Sequence, residues 1–86
     1  AAELGPYNIR VNTIVPGYIE VEWFSQMLEE HPGVRERRLQ RVPLGRFGKP
    51  EDIAGAAIYL ASEASSYITG ACILVTGGLT FLMPDF

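Results

Sequence analysis

Residues 9–20 read Ile-Arg-Val-Asn-Thr-Ile-Val-Pro-Gly-Tyr-Ile-Glu, a run rich in β-branched side chains that breaks at Pro-Gly. Apolar residues cluster from Ile9 to Val15 without strict alternation, which is typical of a strand buried on both faces of a parallel sheet. Pro16 cannot donate a ladder hydrogen bond and is predicted to end the strand, whereas Gly17 permits a free turn or a close backbone approach. The segment therefore predicts a buried strand that opens into a turn at its C-terminal end.

Three helices are predicted to follow this strand. The first covers residues 21–30, where four side chains recur at helical spacing and form one apolar stripe. These are Trp23, Phe24, Met27 and Leu28. A second, arginine-rich helix is predicted over residues 34–41, and residues 43–50 form a loop rich in Pro and Gly. Pro50 then begins a longer helix, because proline suits the first helical position and two acidic residues follow it.

The order of these elements indicates the fold class. Residues 71–75 form a second apolar strand, and the strand–helices–strand order predicts two parallel strands side by side. Such a pair alone leaves both outer edges unpaired and one sheet face uncovered. The first five residues also read as the last turn of a helix stopped at Gly5-Pro6. We therefore expect an α/β fold in which residues 1–86 form a single partial domain, the C-terminal β-α-α-α-β portion of a doubly wound, Rossmann-like parallel sheet.

The composition argues against several classes of function. The chain has 86 residues, of which 48% are apolar and 20% charged, as in ordinary globular proteins. No apolar run reaches the ~18 residues of a membrane span, and the net charge of −3 is unfavourable for a phosphate backbone. The single cysteine, Cys72, allows no intrachain disulfide, which fits a reducing cytoplasm. We therefore expect a cytoplasmic protein that binds neither a membrane nor nucleic acid.

One segment is nevertheless strongly basic. Its members are Arg35, Arg37, Arg38 and Arg41. Glu36 interrupts the run, and the basic face does not dominate the whole chain as a nucleic-acid surface would. We interpret the segment as a solvated helix face or a subunit contact.

Four segments, taken in order, resemble the C-terminal third of a short-chain dehydrogenase/reductase. They are Ile-Arg-Val-Asn at 9–12 leading into Pro-Gly at 16–17, Pro-Leu-Gly-Arg at 43–46 with Gly48, Pro-Glu-Asp-Ile-Ala at 50–54, and residues 62–70 closing on paired glycines at 77–78. The resemblance covers almost the whole chain. It implies an NAD(P)-dependent oxidoreductase that transfers a hydride between nicotinamide and an alcohol or carbonyl substrate. The tail is similar to that of sugar dehydrogenases, so a sugar or polyol is one candidate substrate.

By this resemblance, the Pro-Gly loop lies under the nicotinamide ring of NAD or NADP. Ligands of open α/β sheets bind outside the carboxyl ends of the strands, which agrees with this placement. The implied cofactor-binding residues are Pro16, Gly17, Tyr18, Ile19 and Val21, and the backbone of Ile19 is expected to bond the carboxamide. A strand end alone also explains Pro16-Gly17, so the cofactor role depends on the other three segments.

The resemblance further makes residues 18–47 a pair of lid helices over the substrate. Trp23, Phe24 and Met27 are the candidate substrate contacts, and core packing is the alternative role for the same side chains. Val21 stands where the family often has a threonine that contacts the cofactor. The loss of that hydrogen bond is expected to weaken cofactor binding by about tenfold at most.

No catalytic residue is predicted within this chain. The family's acid/base pair is a tyrosine followed four residues later by a lysine. The only lysine, Lys49, does not follow any of the four tyrosines at that spacing, and no two glycines are two residues apart as a dinucleotide fingerprint requires. No metal site is predicted, because the lone His31 lacks partner ligands. We therefore expect residues 1–86 alone not to catalyse a reaction.

Two functions stay open at this point. The first is the C-terminal portion of a complete oxidoreductase. The family usually forms tetramers, and the apolar faces of the 50–61 helix, the last strand and the C-terminal tail suit such a contact. The second is a non-catalytic, standalone assembly or binding module derived from the same fold. A Tyr-x-x-x-Lys motif encoded upstream would distinguish the first function from the second.

Overall fold

The computed structural model describes residues 1–79. Its strands are β1 (Thr13–Pro16) and β2 (Cys72–Val75), and its helices are α1 (Glu22–Glu30), α2 (Val34–Leu39) and α3 (Pro50–Ala61). The two strands pair in parallel, with Thr13 opposite Cys72 and Pro16 opposite Val75. The predicted β-α-α-α-β order and the parallel pairing are therefore confirmed. The C-terminal tail, which was predicted to take part in a subunit contact, lies outside the described residues.

The first strand is shorter than predicted, since it begins at Thr13 instead of Ile9. Just before it, the side-chain oxygen of Asn12 accepts the N–H of Ala71 at 3.0 Å. At this position a side-chain hydrogen bond therefore takes the place of a backbone hydrogen bond between the strands. The expected burial on both faces is also not found in the part of the chain described. Ile14 and Val15 are half-buried, and Leu74 is exposed. The physical reason is that α3 contacts both strands, whereas residues 1–79 supply no second helical layer to cover the other face of the sheet.

The N-terminal residues differ from the predicted helix end. A 3₁₀ turn at Gly5–Tyr7 follows the first four residues instead of a stop at Gly5-Pro6. Pro6 is compatible with the first positions of such a turn because its φ is already fixed near the helical value. Asn8 closes the turn with a φ of 59° and donates its N–H to the carbonyl of Gly5.

The helices follow the predicted patterns. In α1, Phe24 and Leu28 lie one turn apart and are both buried. Gly33, with a φ of 88°, separates α1 from α2 by a left-handed turn that suits glycine. Helix α2 ends at Leu39, two residues before the predicted end. Pro50 is the first residue of α3, as predicted.

The larger hydrophobic cluster lies in the lid, by which we mean residues 18–47. Phe24, Leu28 and Phe47 form its buried centre, with five half-buried side chains around them. These are Tyr18, Val21, Met27, Val34 and Leu39. The Cα radius of gyration is 16.1 Å, against about 12 Å for a compact domain of this length. The arrangement is therefore more extended than that of a compact domain of this length.

Candidate functional site

The loop that leaves β1 is packed tightly against the end of β2. The N–H of Gly17 donates to the carbonyl of Val75 at 2.9 Å. A Cβ atom at Gly17 would lie 2.9 Å from the Cα and 3.0 Å from the Cβ of Thr76, closer than real contacts allow. Glycine is required here because two strand ends converge. The predicted close backbone approach at Gly17 is thus made, within the described residues, to Thr76.

The lid joins the sheet through a short neck, formed by residues 18–20 and 47–48. Ile19 and Gly48 make an isolated parallel bridge. The N–H of Gly48 donates to the carbonyl of Tyr18 at 2.9 Å, and the N–H of Glu20 donates to the carbonyl of Gly48 at 2.8 Å. A Cβ at Gly48 would lie 2.7 Å from Cδ1 of Ile19, so glycine lets the two segments approach.

Ile19 is the central residue of the neck. Its carbonyl accepts the N–H of Val21 at 3.0 Å, and its neighbours on both sides are bonded to Gly48. Its own N–H has no acceptor within residues 1–79. The neck therefore fixes the backbone around Ile19, just after β1, and among residues 1–79 nothing accepts its N–H.

The paired glycines after β2 form a second anchor for the lid. The N–H of Leu44 donates to the carbonyl of Gly77 at 3.0 Å. Gly77 and Gly78 have φ values of 65° and 94°, and side chains there would meet Val42 and Pro43 at 2.8 Å. Beside this anchor, a cleft of about 290 Å³ opens at the carboxyl end of β2, and Tyr18 of the neck also lines it. The lid is thus fastened to both strands around one cleft.

The aromatic side chains of the lid pack on each other. The rings of Tyr18 and Phe24 stack with centroids 6.1 Å apart, and Phe47 meets Phe24 edge-on at 5.3 Å and Tyr18 at 5.9 Å. Such geometries add about 0.5–1.5 kcal/mol per pair beyond burial. The ring of Tyr18, a predicted cofactor-binding residue, therefore belongs to the lid core. The backbone at Tyr18 remains at the neck.

The structure separates the predicted substrate contacts into two groups. Phe24 is only 4% exposed and Met27 is half-buried against the same cluster, so both are core residues of the lid. Trp23 is 70% exposed and touches Phe24 with its edge at 5.8 Å. Val21 precedes α1 as its N-cap, makes no side-chain cap and packs against the cluster. Of the three candidates, Trp23 alone is available to a ligand in this arrangement.

Two arginines of α2 have a role that the sequence did not indicate. Nη2 of Arg35 lies 2.7 Å from Oε1 of Glu20, and its guanidinium lies 5.5 Å from the centre of the Phe47 ring. The guanidinium of Arg38 lies 5.1 Å from the Tyr18 ring and 5.8 Å from the Phe24 ring. Both residues are half-buried, so the interpretation as a solvated face is wrong for them. Their spacing of three residues, which places them on one face of the helix, is the signal that could have indicated this.

Polar side chains before β1 hold the end of α3. Arg10 donates to the carbonyls of Leu60 at 2.8 Å and Ile68 at 3.1 Å and to Oγ of Ser65 at 3.2 Å. Asn12 donates its side-chain N–H to the same Ile68 carbonyl at 3.1 Å. The last carbonyls of a helix have no partner within the helix, and side chains commonly satisfy them. The Ile-Arg-Val-Asn segment thus stabilises the connection from α3 to β2 through side-chain hydrogen bonds.

The start of α3 carries a small charge cluster beside the cleft. Oδ2 of Asp52 accepts the N–H of Lys49 at 2.8 Å and Nη1 of Arg46 at 3.1 Å. The Arg46 hydrogen bond, followed by that from Lys49, lowers the pKa of the Asp52 carboxyl. The same contact raises the pKa of Arg46. These charges stabilise the helix start and one wall of the cleft.

Two kinds of site are absent from the part of the chain that the structure describes. Residues 1–79 contain no group of three His, Cys, Asp or Glu side chains placed to hold a metal ion. Within the same residues, no helix has the length and apolar character needed to traverse a bilayer. Cys72 is exposed on β2.

Comparisons with known proteins match nearly the whole chain. A family model described as enoyl-(acyl carrier protein) reductase matches residues 1–80. A 3-oxoacyl-[acyl-carrier-protein] reductase from Thermotoga maritima is 49% identical over 79 residues, which are 92% of this chain and 31% of that protein. An L-rhamnose 1-dehydrogenase (NAD(P)(+)) from Azotobacter vinelandii is 48% identical over 79 residues, 92% of this chain and 30% of that protein.

A solved structure agrees with these relatives. It is described as a 2-deoxy-D-gluconate 3-dehydrogenase from Agrobacterium tumefaciens with bound NADP, and it is 42% identical to this chain. The superposition has a TM-score of 0.83 and covers 91% of this chain and 31% of that one. The predicted Rossmann-like fold class is confirmed by this similarity. The chain spans about a third of the length of the curated relatives it matches.

Proposed function

Because the chain belongs to the short-chain dehydrogenase/reductase family, we propose that it is the C-terminal third of an NAD(P)-dependent oxidoreductase. The complete enzyme transfers a hydride between nicotinamide and an alcohol or carbonyl substrate. The observation that supports this most directly is the free N–H of Ile19, held at the carboxyl end of β1 by the bridge to Gly48. Ligands of open α/β sheets bind at this end of the strands.

The neck fits the carboxamide side of a nicotinamide. Tyr18 and Glu20 are each hydrogen-bonded to Gly48, so the N–H of Ile19 is a preorganised donor. A carbonyl ligand would supply the acceptor that this N–H lacks within residues 1–79. Pro16 limits the flexibility of the preceding backbone. When bound, the cofactor supplies or accepts the hydride. The residues of this chain bind and orient its ring.

The lid supplies the substrate side of the proposed site. Trp23 offers an exposed indole, while Phe24 and Phe47 give the lid a rigid centre. The named relatives include a 3-oxoacyl-[acyl-carrier-protein] reductase and an L-rhamnose 1-dehydrogenase, so we assign an alcohol or carbonyl group as the common substrate feature. A sugar or polyol is the narrower proposal, and proton transfer is assigned to residues outside this chain.

A homotetramer is proposed for the complete enzyme. Ile58 on α3 is 70% exposed. A large exposed apolar side chain on this helix, whose apolar face was expected to meet a second copy, supports such a contact in a symmetric oligomer. Sedimentation of the native protein tests this, and a monomer at micromolar concentration would exclude it.

The proposal predicts what the gene encodes upstream of Ala1. We expect a glycine-rich phosphate loop and a Tyr-x-x-x-Lys motif in the same reading frame, with the native protein binding NADH or NADPH. Fluorescence titration with both cofactors measures the binding and decides between them. An initiator codon directly before Ala1 would exclude the proposal and favour the non-catalytic binding module.

The role of Ile19 can be tested by replacing one backbone amide with an ester. An ester at residue 19 removes the free N–H, and we expect about tenfold weaker cofactor binding at most. An ester at residue 20 is the matched control, because it removes a neck hydrogen bond to Gly48 but leaves the Ile19 donor intact. Equal losses of affinity in the two esters would contradict a direct contact with the cofactor.

A further inference from the structure

We propose that Glu20 and Arg35 are positioning residues that couple the lid to the cofactor-binding backbone. The inference rests on the proposed function of Ile19 and adds a connection that the family resemblance does not supply. Glu20 directly follows Ile19 in the neck, and Arg35 lies on α2 in the middle of the lid. Their 2.7 Å ion pair links the lid to the residue next to the free donor.

Arg35 contacts both segments of the neck. Its Nη2 pairs with Glu20 on the outgoing segment, and its guanidinium lies over the ring of Phe47 on the returning segment. A cation over an aromatic ring contributes about 0.5–1 kcal/mol at partly exposed sites. One side chain therefore holds the two segments together on the side where α2 lies.

Other contacts keep this arrangement in one orientation. Oγ of Ser25 lies 3.4 Å from the same Oε1 of Glu20, so α1 also reaches the carboxylate. Arg38, one turn after Arg35, lies over the ring of Tyr18. Residues 18 and 20 are thus fixed through their side chains by the lid and through their backbones by Gly48. Ile19, between them, has little freedom to rotate its N–H.

The consequence is that the lid and the cofactor site share one conformational equilibrium. If α2 moves away, Glu20 loses its partner and the neck is held only by its backbone bridge. A ligand that needs an ordered neck then binds more weakly, since the fraction of competent protein falls. Conversely, a bound nicotinamide favours the docked lid by the same free energy.

The experiment is a double-mutant cycle in the native protein, with NADPH or NADH affinity as the readout. We expect Glu20→Gln to weaken binding about threefold to fivefold, the range of a partly exposed ion pair. Arg35→Met is expected to weaken it about tenfold, because the contact with Phe47 is also lost. The double variant is expected to bind no worse than Arg35→Met alone, since both substitutions remove the same link.

Three controls make the outcome decisive. Arg37→Met replaces an exposed arginine of the same helix whose side chain makes no hydrogen bond or ion pair within residues 1–79, so it should leave affinity unchanged. Arg35→Lys should restore part of the affinity, and raised salt should reduce the effect of Glu20→Gln. If both substitutions lower the melting temperature but leave cofactor affinity unchanged, the coupling is refuted. If the unsubstituted protein binds no cofactor, the proposed function fails instead.

Discussion

Nη2 of Arg10 donates to the carbonyl oxygen of Leu60 over 2.8 Å, which ties the segment before β1 to the end of α3, fifty residues later in the chain. The same guanidinium reaches Ile68 and the fully buried Ser65. Long-range hydrogen bonds of this kind stabilise the β-α-β unit, in which the strands bury little hydrophobic surface. The strand that leads into Pro16-Gly17 is therefore held by polar side-chain contacts as well as by the parallel ladder.

Replacing Arg10 by Met is expected to reduce the free energy of unfolding by about 2–3 kcal/mol, because charged hydrogen bonds to carbonyls of the α3–β2 connection are lost. Urea unfolding of the native protein measures the change. Arg41→Met is the matched control, since Arg41 is exposed, and it should change stability by less than about 0.5 kcal/mol. Equal stability of the two variants would contradict the fastening role.

Gly17→Ala tests the close approach of the two strand ends. The new Cβ would lie 2.9 Å from the backbone of Thr76, which cannot move as freely as a side-chain end. We expect a loss of about 1–3 kcal/mol, the usual cost of overpacking, and a larger loss for Gly17→Val. Thermal unfolding of the series gives the order, and a Val variant as stable as the parent would refute the constraint.

Asp52 predicts a pH dependence of stability. Its pKa is lowered in the folded state by Arg46 and by the N–H of Lys49. The stabilisation is therefore complete above the unfolded pKa of about 4 and is lost as pH falls through the lower folded value. In Asp52→Asn this contribution is absent, so the stability difference from the parent should shrink on acidification below about pH 4. Urea unfolding between neutral and acid pH measures it, with Glu51→Gln as the control at an adjacent exposed position. A difference that stays constant would contradict the assignment.

The sequence predicted local features better than contacts between distant residues. Pro16 and Pro50 fix the end of β1 and the start of α3 through backbone chemistry alone, and both boundaries lie where they were predicted. Phe47 shows where this reasoning stops. It stands in a segment that reads as a loop, yet it is 6% exposed and lies at the centre of the lid core. Its burial depends on α1, which is distant in sequence.

In the candidate site, too, local features could be predicted and contacts between distant residues could not. The Pro-Gly turn and its neighbours could be identified from their order, whereas the pairing of Arg35 with Glu20 joins residues fifteen positions apart. A charge run is usually solvated. The three-residue spacing of Arg35 and Arg38 places them on one face of the helix but does not indicate what that face contacts. Only the packing of α2 against the aromatic rings shows this.

Val21→Thr restores the residue type that the family often has at this position. The added hydroxyl gives α1 a capping group, which it now lacks, and by family resemblance a contact with the cofactor. We expect NAD(P)H to bind up to about tenfold more tightly, as measured by fluorescence titration. Val21→Ala removes packing without adding a hydroxyl and should give no gain. Unchanged affinity in the Thr variant would indicate that residue 21 does not reach the cofactor.

Trp23 and Phe24 are adjacent in sequence but are predicted to respond differently to truncation. Phe24→Ala should destabilise the protein by about 3–5 kcal/mol, because it empties the centre of the lid core. Trp23→Ala should cost less than about 1 kcal/mol, since only an edge contact is lost.

If Trp23 contacts the substrate as proposed, its variant should raise the substrate KM while leaving the melting temperature and the cofactor affinity unchanged. Steady-state kinetics with a sugar alcohol and with a simple secondary alcohol measure this. A KM that stays constant for both substrates would show that the three predicted contacts do not meet the substrate, because Trp23 is the only one of them that residues 1–79 leave largely exposed.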